Sequence, residues 1–202
     1  MFFFIKFSIF LGNRYKTLFL DLDETLIHAC SISENPQHII KGTGPYGSEI
    51  LIGFNVRPYC LEFLKKLSQF YEIVIFTASM SNYAHAIVNF LDPYHQYISE
   101  VLTRSSCIRS KNGFFIKDLR IIKNRELKNM MIVDNLSHSF GFQIDNGIPI
   151  LEFLNDRKDR ELKHLYDHLL EGLYVDDVRV FNRKKLQLNL LSEMRIEDLR
   201  IL

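Results

Sequence analysis

Four short, largely apolar runs, at 17–20, 72–76, 130–133 and 148–153, stand out in the hydrophobic pattern. Runs of this length without polar alternation are expected of parallel strands buried on both faces. Between them the period changes to that of a helix. In 58–70, Leu61, Leu64 and Leu67 recur at helical spacing, and Pro58 suits a first turn. A second helix is predicted at 82–91, where Ser79 or Ser81 could cap it, and an amphipathic third at 161–173. Strands alternating with helices predict an α/β fold built on a doubly wound parallel sheet.

One excursion departs from this rhythm. Residues 30–56 carry no helical period, and 38–40 and 50–54 read as two strands of a small antiparallel flap. The tip from Gly42 to Gly47 has the spacing GxGxxG, but a strand rather than a helix follows. A glycine-rich hairpin turn therefore explains it better than a dinucleotide-binding loop does. A second hairpin is predicted at Asn112-Gly113, with Phe114 to Asp118 on its outgoing strand. The flap is too small to be a lid domain that closes over a metabolite.

The first three runs end alike, on Asp21 and Asp23, on Thr77 and Ser79, and on Asp134 and Asn135. Ligands of open parallel sheets bind at the carboxyl ends of strands, so these polar ends are candidates for one site. Asp21 and Asp23, two apart at a strand end, point to one side. Such a pair suits a nucleophile and an acid/base with a divalent cation alongside. Asp21 can attack phosphorus. Asp23 can protonate the leaving alkoxide and then deprotonate water. Mg²⁺ fits hard oxygen ligands from Asp21, the Asp23 carbonyl and Asn135. Thr77 can donate to a phosphoryl oxygen, and Lys117 offers a fixed positive charge. His28 is expected to be a hydrogen-bonded structural histidine.

Bulk properties narrow the picture little. The 202 residues suffice for one domain with a substantial core, and a net charge of +1 argues against direct nucleic-acid binding. Three scattered cysteines, Cys30, Cys60 and Cys107, fit a reducing compartment, the nucleus or cytoplasm, better than a disulfide framework. The apolar leader at 1–14 is shorter than the ~20 apolar residues of a spanning helix, although membrane attachment through it stays open.

The segments Asp21-Leu22-Asp23-Glu24-Thr25-Leu26-Ile27-His28, Phe76-Thr77-Ala78-Ser79, Lys117-Asp118-Leu119 and Val133-Asp134-Asn135 resemble, in order, the four motifs of the haloacid dehalogenase (HAD) superfamily. Val56-Arg57-Pro58-Tyr59, Arg104-Ser105-Ser106-Cys107 and Asn146-Gly147-Ile148-Pro149-Ile150 narrow the likeness. They are similar to the FCP/SCP-type small C-terminal-domain phosphatases, which are NLI-interacting-factor-like and dullard-related. Two positions depart from that family's usual pattern: Leu136-Ser137 after Asn135, and Glu152-Phe153 where a Trp-Phe pair is usual.

The resemblance implies a HAD-like domain over 15–180 with no large cap, a three-stranded insert within about 30–56, and an extension at 181–202. It also implies Mg²⁺-dependent removal of phosphate from protein phosphoserine or phosphothreonine, as in the tail of RNA polymerase II. Asp21 would be the nucleophile and Asp23 the acid/base. Thr77, Ala78, Lys117 and Arg104 would hold phosphate, and Asp21, Asp23, Asp134 and Asn135 the metal. The insert would offer an apolar wall to substrate prolines. A small-molecule phosphatase, or a phosphoprotein-binding or translocation module with little catalysis, are the alternatives.

Overall fold

A computed structural model describes residues 16–188; the leader at 1–14 and the end of the chain from 189 lie outside the described residues. In chain order the elements are β1 (Lys16–Leu20), β2 (Ile27–Cys30), β3 (His38–Thr43), β4 (Glu49–Val56), α1 (Cys60–Leu67), β5 (Tyr71–Phe76), α2 (Ser81–Leu91) and β6 (Ile98–Leu102). There follow β7 (Ile108–Arg109), β8 (Phe115–Ile116), β9 (Met130–Asp134), β10 (Gly147–Pro149), α3 (Glu161–Gly172) and α4 (Val178–Lys185).

Five of these strands form a parallel sheet in the order β10-β9-β1-β5-β6, with β1 at its centre. The alternation of strand side chains divides the core in two. Leu18, Leu20, Ile73, Ile75, Met131 and Val133 face one side, where the apolar stripes of α1, α2 and α3 cover them. Phe19, Val74, Phe76, Met130 and Ile132 face the other. There the covering residues, Leu119, Ile121, Ile122 and Phe140, come from short 3-10 turns and loops rather than α-helices. Phe140 sits so close to β10 that a Cβ on Gly147 would fall 2.1 Å from its ring.

The flap has three strands, in the order β2-β4-β3, and begins at Ile27, slightly before the expected boundary. Its Gly-rich tip closes β3 onto β4 as a hairpin, with the Gly44 amide donating to Ser48 at 2.7 Å. The flap is pinned to α2 by rings: His38 lies 4.6 Å and Phe54 5.1 Å from Phe90. The second hairpin, β7–β8, turns at Gly113, whose φ of +89° suits glycine.

Other boundaries moved. The strand expected at 148–153 is Gly147–Pro149 only. Ile98–Leu102 is a strand that the hydrophobic pattern did not predict. Neither serine caps α2, whose N-cap is Met80 with no side-chain bond. The buried guanidinium of Arg57 ties three segments together. It donates to both oxygens of Asp159 at 2.8 and 2.7 Å, to the Thr25 carbonyl at 3.1 Å and to the Leu151 carbonyl at 2.8 Å. Helix α4 runs across position 180 and docks through Asn182, which donates to the Asp145 carbonyl at 3.2 Å. Among the described residues, no helix is long and apolar enough to cross a membrane.

Candidate active site at the carboxyl ends of the central strands

The register of the central strands aligns their ends. Leu20 pairs with both Ile75 and Val133, so the next residues along β1, β5 and β9 emerge side by side. Asp21, Phe76-Thr77 and Asp134-Asn135 therefore meet through strand pairing, although they lie far apart in the chain.

Lys117 joins two of these ends. It enters from the turn after β8, held by its amide to the Ser139 carbonyl at 2.7 Å. Its Nζ donates to Asp21 Oδ1 at 2.5 Å and to Asp134 Oδ2 at 2.6 Å, and all three side chains are buried. Burial works against the charge on Lys117, but Asp21 and Asp134 outweigh it and hold the pKa above the usual lysine value. Burial, foremost, pushes the Asp21 carboxyl up to about 7; Lys117 opposes this, while Asp134 and Asp23 add to it. One ammonium thus balances two buried carboxylates, and the cluster carries surplus negative charge when both are ionised. A further cation, or the electrophilic phosphorus of a phosphate ester, is what such a cluster accepts.

Asp23 is held differently. Ser79 Oγ donates to Oδ2 and the Tyr83 hydroxyl to Oδ1, each at 2.6 Å. Burial, then the neighbouring Asp23, raises the Tyr83 pKa, so the phenol keeps its proton and donates it. Two donors fix the orientation of this carboxyl, as a group that exchanges a proton with a substrate requires. The serine expected as a cap is thus used by Asp23 instead. Tyr83 was missed by the sequence reading, because one aromatic in the first turn of a helix gives no sign of facing a carboxylate across the site.

Thr77 is buried, and its Oγ1 accepts the Ser79 amide at 3.0 Å, which leaves its own proton to give. Arg104 is bound to the same turn: its Nε donates to the Ala78 carbonyl at 2.6 Å and its amide to the Ser79 carbonyl at 3.0 Å. His28, expected to be structural, pairs with Glu24 at 2.7 Å.

For a metal, the donor set can be tested directly. The Thr25 hydroxyl lies 3.4 Å from Asp21 Oδ2 and 3.4 Å from Asn135 Oδ1. It has a single proton to share, and 3.4 Å is long for an O–H bond. One carboxylate oxygen and one amide oxygen flanking Thr25 are thus weakly engaged hard donors, as Mg²⁺ requires. Asp134 differs, since Lys117 takes Oδ2 and the Leu136 amide donates to Oδ1 at 2.8 Å. Its place is that of an anchor for Lys117 and the following loop. The Asp23 carboxylate is likewise engaged, so any contribution from Asp23 falls to its main-chain carbonyl. Among the described residues no group of three or more His, Cys, Asp or Glu side chains could hold a metal. The candidate site depends instead on Asp21, an amide and a main-chain carbonyl.

Replacing Tyr83 by phenylalanine removes one of the two donors and leaves Ser79. The expected result is a partial loss of a general-acid contribution of about 10²–10⁴. In kcat/KM, which ends at formation of the first intermediate, phosphoserine should lose more than an aryl phosphate, whose leaving group needs less protonation. Equal losses on both substrates would show that Tyr83 only packs.

The fold, and the order in which these groups come along it, are those of a HAD-type domain. The chain belongs to the NLI interacting factor-like phosphatase family, whose model matches residues 16–179. It is 40% identical over 172 residues to CTD small phosphatase-like protein 2 of Dictyostelium discoideum, covering 85% of this chain and 30% of that protein. Nuclear envelope morphology protein 1 of Saccharomyces cerevisiae is 34% identical over 188 residues, covering 85% and 42%. The human carboxy-terminal domain RNA polymerase II polypeptide A small phosphatase 1 is 32% identical over 159 residues, covering 79% and 60%. The chain therefore spans 30% to 60% of the length of these relatives. In fold it is similar to the fission yeast RNA polymerase II CTD phosphatase Fcp1 bound to beryllium fluoride. The TM-score is 0.57 at 19% identity, with 89% of this chain and 56% of that one covered.

Proposed function

We propose that this chain is a Mg²⁺-dependent protein serine/threonine phosphatase that works through an aspartyl-phosphate on Asp21. The observation that carries the reading is the contrast between the two acids. Asp21 is buried against Lys117 and faces the weakly engaged Asn135 oxygen, whereas Asp23 is aimed by two hydroxyls. One is placed as a nucleophile and the other as a proton carrier.

In the proposed reaction, Asp21 attacks phosphorus while Asp23 gives its proton to the leaving serine or threonine oxygen. Asp23 then removes a proton from water, which cleaves the acyl phosphate and releases inorganic phosphate. Thr77, Lys117 and Arg104 bind and neutralise the phosphoryl oxygens. Asp21, Asn135 and the Asp23 carbonyl would hold Mg²⁺, which supplies charge neutralisation and alignment of the phosphate. The unit that performs this is 15–180, with the flap as its recognition insert.

Support for a protein substrate comes from the flap. Between β3 and α2 lies an open cavity of about 460 Å³, lined by Ile40, Gly42, Thr43, Asn82, Ala86 and Phe90 among others. It runs along the helix that carries Tyr83, so an extended segment whose phosphate reaches Asp21 can continue beside the flap. A serine- or threonine-proline segment, such as the polymerase tail in the human relative's name, is a substrate of this kind, met in the nucleus or cytoplasm. The test is dephosphorylation of a phosphopeptide array with Mg²⁺, with chelator, and with Mg²⁺ restored. Activity that disappears with chelator and returns with Mg²⁺ is expected. A folded chain that releases no phosphate from any peptide, yet retains some of them, would favour a binding module. Turnover of small phosphate esters alone would favour a metabolite phosphatase.

A further inference from the structure

From Thr103 to Lys117 the chain contains Arg104, Arg109, Lys111 and Lys117 and no acidic residue. Lys117 is consumed in the buried cluster, but the others are exposed. Three observations bring the exposed cations to one strip. Arg104 is tied to the Ala78 carbonyl at 2.6 Å, so its guanidinium starts at the candidate phosphate site. The same guanidinium lies over the ring of Phe115, 5.1 Å from its centroid. Phe115 is paired directly with Arg109 across the β7–β8 hairpin. Directly paired residues of an antiparallel ladder project to one face, so Arg109 stands beside the ring that Arg104 covers. Lys111 lies two residues beyond Arg109, toward the hairpin turn.

Among the described residues neither Arg109 nor Lys111 has an acidic partner, in contrast to Arg57, Arg120, Arg179 and Arg183, each of which is paired. Among the described residues only Nε of Arg104 donates within the protein, which leaves its terminal nitrogens available. Unpaired cations arranged outward from a phosphate site on a short hairpin make a second anion subsite. Their number matters. A single carboxylate matches one cation, whereas a phosphoryl group carries a charge of about −1.5 to −2 and three acceptor oxygens suited to guanidinium forks.

We infer that Arg109 and Lys111, on the hairpin beside the Arg104–Phe115 stack, bind a second phosphoryl group on the same peptide, so that the preferred substrates are doubly phosphorylated segments. This rests on the proposed phosphatase reading and deepens it. Phe115 lies two residues before Lys117, roughly 7 Å along an extended strand. An extended peptide covers that distance in about two or three residues, which sets the spacing of the two phosphorylated side chains.

The test compares the full chain with the variant R109Q/K111Q on matched peptides. These carry one phosphoserine, a second phosphoserine two or three residues to either side, or glutamate in place of the second. The same peptides are titrated by calorimetry against Asp21→Asn chains with and without the two substitutions, so binding is read even where turnover fails. The second phosphate is expected to raise kcat/KM and affinity by about tenfold, more weakly at high salt. R109Q/K111Q should lose that gain while turning over the singly phosphorylated peptide and an aryl phosphate as before. Equal affinity for singly and doubly phosphorylated peptides would overturn the inference, as would an equal gain from glutamate. Absence of turnover on every peptide would instead sink the phosphatase reading, and the calorimetric comparison would still decide the subsite.

Discussion

Replacing Asp21 with asparagine should abolish turnover and leave the fold standing. The amide keeps the shape of the carboxylate but is no nucleophile, and loss of the nucleophile from a covalent mechanism costs about 10⁴-fold or more in kcat. The stability side of the result follows from the buried cluster. Lys117 binds Asp21 and Asp134 together, and burial pushes the Asp21 carboxyl up to about 7, so ionising Asp21 carries a desolvation cost. Asparagine removes that cost, and Lys117 keeps Asp134 at 2.6 Å as a one-to-one pair. Thermal unfolding of the variant should therefore occur at or above the wild-type temperature, with phosphopeptide binding retained. Steady-state phosphate release together with a melting curve checks both halves. Substantial turnover in Asp21→Asn would remove Asp21 from the reaction.

Lys117→Met should produce the largest loss of stability of any substitution at the site. Lys117 is 2% exposed and its partners Asp21 and Asp134 are 7% and 1% exposed. Without the ammonium, two carboxylates face each other out of water. Removing one partner of a buried ion pair costs about 3–5 kcal/mol, because the partner left behind stays desolvated. Urea unfolding with excess chelator, so that no bound cation substitutes for the lysine, measures the effect. Adding Asp134→Asn to Lys117→Met should restore a large part of the loss, since a single buried carboxyl can then take a proton. Stability unchanged in Lys117→Met would mean that the carboxylates are hydrated and the cluster is not the closed unit described here. Turnover should fall as well, by the roughly 3–4 kcal/mol typical of one lost electrostatic donor.

Much of the architecture was legible because burial on both faces leaves a strand few polar positions. β1, β5 and β9 are central in the sheet, and each carries a continuous apolar stretch, at 18–20, 73–76 and 130–133. β6 was not legible because it is an edge strand. Ser99 and Glu100 interrupt its apolar residues, and its pairing with β5 carries an irregularity between Ile73 and Val74. The fourth run was overextended, because Ile150, Leu151 and Phe153 continue the apolar pattern after β10 ends, in a loop where Ile150 and Phe153 are buried. There the Phe153 amide donates to the Glu24 carbonyl at 2.8 Å. β2 was not legible because its four residues, directly after the Asp21–Thr25 turn, are too few to show a strand's alternation.

The sequence by itself determined which chemical groups stand at the strand ends: two acids after β1, a threonine after β5, an Asp-Asn pair after β9, and a lysine that approaches from a hairpin. Strand burial and motif order depend on neighbours along the chain, so they can be read from it. Only the tertiary structure decided how each group is used. It closes Asp134 between Lys117 and the Leu136 amide and hands Ser79 and Tyr83 to Asp23. Among the described residues it also leaves Arg109 and Lys111 exposed and without an acidic partner. Whether a carboxylate is a nucleophile, a proton carrier or an anchor depends on which donors reach it through space. At this site those donors come from as far as 96 residues along the chain, as between Asp21 and Lys117, where no local pattern records the encounter.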